Sequence, residues 1–169
     1  HRFHRLHRFS LDRLLVINHA YLNGGYLLYN RLMRSEGIAK RVQALDVALA
    51  ELRSLGKVSD KQLKENWQTR KAIERNLQIL VEIVLDVCQR LIALDGQSPA
   101  ATGADAVERC IALGALERDE NYFNMVRFRN FIVHRYEHIE PAVLVNMVNK
   151  RLPDFEKFGD EITAYVQSH

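Results

Sequence analysis

Between Arg127 and Tyr136 the chain reads Arg-Phe-Arg-Asn-Phe-Ile-Val-His-Arg-Tyr, an apolar and aromatic run interrupted by basic side chains and one amide. In a helix turning about 100° per residue, Arg127, Asn130, His134 and His138 fall on one narrow polar stripe. A guanidinium on that stripe can hold a phosphate, the amide can orient the imidazole, and His134 can move a proton near neutral pH. The bland reading of the same residues is the wetted edge of a bundle helix. Arg129 stands apart, because its step of five residues to His134 turns about 140° and leaves the two on different faces. Three arrangements stay open on the residues alone. Arg127 is the local phosphate ligand, or Arg129 reaches round, or Arg129 completes a site with the His134 of a second copy. The dimer cleft is favoured, since a two-fold axis would place two Arg and two His between facing copies of one helix. Arg135 is a further candidate anion contact.

Composition bounds what surrounds this stretch. A chain of 169 residues with 47% hydrophobic and 27% charged residues is enough for one domain with its own core. The net charge of +3 is unevenly placed: residues 1–32 hold five Arg and one Asp, leaving 19 basic and 20 acidic residues in 33–169. The body is therefore not basic, and any polyanion binding must come from a local cluster, of which Arg127, Arg129 and Arg135 form the best candidate. Cys88 and Cys110 both fall in apolar helical patterns, which fits reduced core thiols of a cytoplasmic protein and neither a disulfide framework nor a metal site. No apolar run approaches the roughly 20 residues that span a bilayer. A Gly-rich phosphate loop, a zinc helix of the His-Glu-x-x-His type and a Gly-x-Ser-x-Gly elbow are all missing from the sequence.

The elements that must position the stretch can be read from periodicity. The chain opens with His-Arg-Phe, His-Arg-Leu, His-Arg-Phe, and its first Met is Met33. Residues 1–32 are expected to be an N-terminal extension, upstream translated or non-native, with a short helix and turn over 11–32, and residues 33–169 to be the folded helical domain. Ile38, Val42, Leu45, Leu49 and Leu52 predict a helix over 36–55 that Gly56 closes. Ser59 and Gln62 form a capping box that opens one long helix to Leu94, with Leu63, Trp67, Leu77, Leu80, Val84 and Leu91 turned inward and a stop at Asp95-Gly96. Glu65, Glu74 and Glu82 on this spine read as solvated or ion-paired, and Glu74-Arg75 as a structural pair. A short helix over 104–113 ends at Gly114, and the helix carrying the opening stretch runs from near Arg118 or Asp119 to about His138. Pro141 starts the last helix, whose stripe of Val145, Val148, Leu152, Phe155, Ile162 and Val166 continues through Pro153 and so predicts a kink there. Strand signals are lacking. The expected fold is all-α, an up-and-down bundle of about five helices.

The bare pattern of Arg, four residues and His also occurs at Arg2 and His7, so it carries little weight. The longer string Arg129-Asn130-x-x-x-His134-x-Tyr136, inside an apolar helix, resembles the signature of the HEPN superfamily, specifically its HepT-like toxins. Helix order and the late position of the signature extend the resemblance from Met33 to His169, about four-fifths of the chain. It implies a metal-independent endoribonuclease that cuts RNA by attack of a ribose 2′-hydroxyl, with no cofactor. His134 would be the general base or acid, Arg129 would steady the transition state, and Asn130 would position groups. It also implies a homodimer and a toxin–antitoxin system of type VII kind, in which an MntA-like nucleotidyltransferase antitoxin adds AMP to Tyr136. The competing expectation is a non-catalytic helical subunit that docks a nucleotidyltransferase, the same stripe then being an anion-binding surface.

Overall fold

Helix is the only regular structure in the described residues of the computed structural model, 26–134 and 139–169, of which the side chains of 26–34, 133 and 134 are left aside. The elements are α1 (Tyr26–Ser54), α2 (Asp60–Glu65), α3 (Trp67–Leu94), α4 (Gly103–Ala112), α5 (Glu120–His134), α6 (Pro141–Asn146), a π-helical turn (Met147–Arg151) and α7 (Leu152–Ser168). The all-α bundle is as expected, the five helices corresponding to α1, α2 with α3, α4, α5, and α6 through α7. The chain divides into units His1–Gly37 and Ile38–His169, and α1 begins ten residues earlier than the stripe from Ile38 indicated.

Pairs of contacts fix the directions of the helices within the second unit. Arg53 meets Glu156 at 2.7 Å, and a Cβ on Gly159 would lie 3.2 Å from Leu45 Cδ2, so α1 and α7 run antiparallel with Gly159 allowing their approach. Asp119 meets Lys157 at 2.9 Å while Asn121 meets Asp154 at 3.2 Å, which makes α5 and α7 antiparallel as well. These directions give the up-and-down arrangement. Between the helices lies one apolar core in which Leu77, Leu80, Val84 and Val87 of α3, Tyr122 of α5, and Phe155, Phe158 and Ile162 of α7 are fully enclosed. Each such side chain contributes about 1.5–3 kcal/mol by leaving water.

Asn66 corrects the expectation of one unbroken helix from Ser59 to Leu94. Its Oδ1 accepts the backbone N–H of Thr69 at 2.9 Å, while its own N–H donates to Gln62 O at 2.9 Å, so one residue ends α2 and caps α3. An Asn side chain competes with the backbone for that N–H, and here the cap wins over continuation. Trp67 consequently sits in the first turn of α3 and is 67% exposed, not buried as its spacing from Leu63 suggested. Downstream the expectations hold: Gly96 and Gly114 take positive φ, and Gln97 and Ala115 donate back to Ile92 O and Cys110 O to close α3 and α4. Just upstream of Pro153 the last helix passes through the π-helical turn, since proline has no N–H for the carbonyl one turn back. Asn149 in that turn clamps the α1–α2 loop, accepting from Val58 N–H at 3.1 Å and donating to Val58 O at 2.9 Å.

Candidate functional site

Helix α5 is held at its start and along its core face. Asp119 caps it, its Oδ1 accepting from the Asn121 N–H at 2.9 Å, while its Oδ2 accepts from Lys157 Nζ on α7 at 2.9 Å. The Lys157 bond is the main reason that the Asp119 carboxyl lies below the usual carboxylate range. Burial first, and Glu161 beside it second, push the Tyr122 phenol upward, so it stays neutral. Halfway along, α5 lies so close to the start of α4 that a Cβ on Gly103 would fall 2.9 Å from Val126 Cβ.

Tyr122, Met125, Val126 and Ile132 are the buried stripe of α5, and Arg129 occupies the same register between Val126 and Ile132. Its Nε is buried and makes no hydrogen bond. The residue as a whole is half-buried, but a guanidinium nitrogen kept from water without a partner is costly, and such exceptions call for a functional explanation. Arg127 is in the opposite situation. It is exposed, and its Nη1 donates to Glu120 Oε1 at 2.7 Å and to Asn124 Oδ1 at 3.0 Å on the same helix.

Asn130 is exposed on the solvent edge, one turn from the backbone position of His134. Within one chain the structure therefore puts Asn130 with Arg127 and separates Arg129 from both. The imidazole of His134 and all of Arg135, Tyr136 and His138 lie outside the described residues. Phe128 and Phe131 flank the basic residues with stacked rings 6.2 Å apart. Between α5 and the π-helical turn, Asn121, Asn124, Arg151 and Asp154 help to line a cavity of about 30 Å³, room for roughly one water and too small for a nucleotide.

Two features were missed by sequence reasoning. The polar pair in the spine is Arg70 with Glu74, not Glu74 with Arg75: Arg70 Nε lies 3.0 Å from Glu74 Oε1, while Arg75 bonds Gln78 at the surface. Its spacing of four residues was the available signal. The Glu120–Arg127 pair was also legible in principle, seven residues being two turns.

Residues 45–162 match the family described as Ribonuclease HepT-like. No curated protein sequence matches the chain. Among solved structures, the tri-AMPylated HEPN toxin of Shewanella oneidensis, in complex with MNT antitoxin, is 21% identical with a TM-score of 0.66, over 75% of this chain and 96% of that one. A toxin–antitoxin structure with AMP-PNP is 20% identical with a TM-score of 0.66, over 75% and 97% of the two chains. A mutant of the MntA-HpeT toxin–antitoxin is 22% identical with a TM-score of 0.65, again over 75% and 97%. At these identities the structures establish the shared helical fold. The family match takes in α5 and the helices packed on it, and the chain belongs to the HepT-like ribonuclease family.

Proposed function

We propose that the chain is the toxin of a toxin–antitoxin pair of type VII kind, a metal-independent endoribonuclease restrained by a nucleotidyltransferase antitoxin. The observation that carries this reading is Arg129, a guanidinium held in core register with its Nε buried and unpartnered, on the helix that ends at His134. A scissile phosphate is a partner of the right charge and planar bidentate geometry for it. His134, as base, takes the proton of the ribose 2′-hydroxyl, whose oxygen attacks the adjacent phosphorus. Arg129 stabilises the phosphorane-like charge, and the leaving 5′-oxygen is protonated as the 2′,3′-cyclic phosphate forms. Asn130, on the exposed edge, orients the imidazole or the substrate, with Arg127 and Arg135 as outer phosphate contacts. Because Arg129 and His134 lie about 140° apart on one helix, a two-fold homodimer that pairs α5 with its copy is the arrangement that unites them.

Restraint acts through the same geometry. AMP added to Tyr136, two residues beyond His134, would bring negative charge and bulk to a site that must accept an RNA phosphate. The neighbouring structures are toxin–antitoxin complexes, one with a tri-AMPylated toxin, which supports this assignment of the partner. Incubation with the nucleotidyltransferase and ATP tests it. Intact mass should rise in steps of AMP, Tyr136→Phe should abolish the rise, and the modified protein should no longer cut RNA. A chain that accepts AMP but never cuts RNA would be the non-catalytic binding subunit instead.

A further inference from the structure

Helix α3 carries Trp67, Lys71 and Arg75 at four-residue steps, all exposed, and half-buried Gln78 follows them. Side chains four apart lie one above another on a helix, so the row forms a rib down the first turns of α3. Trp67 and Val47 are the large apolar side chains left to solvent among the described residues, and the Asn66 cap places Trp67 there by starting α3 anew. Arg75 donates to Gln78 Oε1 at 3.3 Å, and Gln78 donates on to Glu82 Oε1 at 2.8 Å. Of the arginines with described side chains, Arg75 and Arg129 are the two without a carboxylate partner among the described residues.

The rib is positive. One carboxylate, Glu74, is shared by Arg70 Nε at 3.0 Å and Lys71 Nζ at 2.7 Å, which leaves one charge over, and Arg75 adds a second. From Trp67 to Gln78 three basic residues stand against one acidic, in a body whose balance over 33–169 is 19 against 20. An aromatic ring and uncompensated cations on one exposed line suit a single-stranded polyanion, whose bases stack on the ring while its phosphates meet the charges. A protein partner fits less well, because the core of a protein interface is poor in charge and the neighbours of Trp67 along the rib are charged.

Its place in the fold brings the rib beside Arg129. Leu85 of α3 and Val126 of α5 both crowd the position of a Gly103 Cβ, at 3.1 and 2.9 Å, and nearer the start of α3 Arg70 Nη2 donates to Ile139 O at 2.7 Å. Helix α3 and the chain from α5 onward therefore run in opposite directions. Gln78 and Trp67, about two and five turns before Leu85, return to the side of α3 that Leu85 turns to α5. With 1.5 Å of rise per residue, Arg129 stands level with about Glu82, and Arg75 lies roughly 10 Å farther along. We infer that this rib is a track for single-stranded RNA, with one phosphate on Arg75 and one base stacked on Trp67 while the scissile phosphate lies at Arg129. The inference rests on the ribonuclease reading of Arg129.

The test uses the full chain in EDTA and a fluorescein-labelled 2′-O-methyl RNA of about twelve nucleotides, which 2′-hydroxyl attack cannot cut. Kd is read by anisotropy between about 50 and 200 mM salt. Arg75→Gln should weaken binding about 3- to 10-fold and reduce the slope of log Kd against log salt by about 0.7, the value for one phosphate contact on a single strand. Trp67→Ala should weaken it about 5- to 20-fold with the slope kept, and Trp67→Phe should restore most of that loss. Arg118→Gln, whose guanidinium is paired with Glu108, should match wild type. On ordinary RNA the same variants should raise KM by similar factors and keep kcat within about twofold. All three positions are exposed, so the urea midpoints should stay at the wild-type value. Wild-type Kd and slope in both Arg75→Gln and Trp67→Ala would overturn the inference. So would variants that bind RNA normally but lose a nucleotidyltransferase partner, which would make the rib a protein-docking face. A wild type that binds the probe with these dependences yet never cuts ordinary RNA would refute the ribonuclease reading and leave the track standing.

Discussion

Arg127 Nη1 lies 2.7 Å from Glu120 Oε1, two turns earlier on α5, and the pair neutralises the guanidinium that shares a helix face with His134. Arg129, two residues on, keeps a buried Nε with no partner. Under the proposed function the two arginines have different tasks. Arg129→Ala should lower kcat for RNA cleavage by about 10²- to 10³-fold, as expected for a donor to developing charge. Arg127→Ala removes an exposed ion pair and should change kcat/KM by about fivefold at most. Steady-state kinetics on one oligonucleotide compares them, and the reverse order would make Arg127 the phosphate ligand.

Asn66 should prove worth about 1 kcal/mol, because its Oδ1 caps α3 through the Thr69 N–H. Asn66→Ala should lower the urea midpoint accordingly and leave cleavage unaltered. A raised midpoint would mean that α2 and α3 gain more by fusing into one helix than by the cap.

Gly103 is a packing requirement for the helix that carries the site. Gly103→Ala would bring a methyl to 2.9 Å from Val126 Cβ and 3.1 Å from Leu85 Cδ2, and should destabilise by about 1–3 kcal/mol. Val126→Ala in the same chain should restore part of that loss although it is destabilising alone. Purely additive losses in the double-mutant cycle would show that the two positions do not meet.

Acid should weaken the start of α5. The Lys157 hydrogen bond, and next the Asn121 N–H, hold the Asp119 carboxyl below its unfolded value near 4, so its stabilisation is full above that value and is lost as pH falls through the lowered one. Asp105, held down by Arg109, has the same sign, whereas burial raises Asp154 and gives it the opposite one. Urea midpoints between pH 7 and pH 2 should show Asp119→Asn less stable than wild type at pH 7 and the two curves converging toward pH 2. Parallel curves would contradict this role for Asp119.

Much of the bundle was legible because its helices are amphipathic and punctuated: Gly56, Gly96 and Gly114 end helices, and the stripe read from Val145 to Val166 is buried at Val148, Leu152, Phe155 and Ile162 on both sides of Pro153 and half-buried at its two ends. Asn66 was not legible, since the same Asn side chain can cap a helix or point outward within one, and tertiary packing decides. The signature residues were recognisable as a string, but the core register of Arg129 depends on which face of α5 meets α3 and α4, and periodicity around Phe123, Phe128 and Phe131 left that face ambiguous. The Arg70 contact could not be read at all, because it joins residues 69 positions apart through a backbone carbonyl, which carries no sequence signal.

The most direct measurement is to incubate the purified chain with RNA in EDTA beside His134→Ala and to identify the fragment ends. Cleavage by the wild type alone, leaving 2′,3′-cyclic phosphates, is the predicted result. Cleavage that persists in His134→Ala, or that vanishes from the unmodified wild type when metal is chelated, would contradict it.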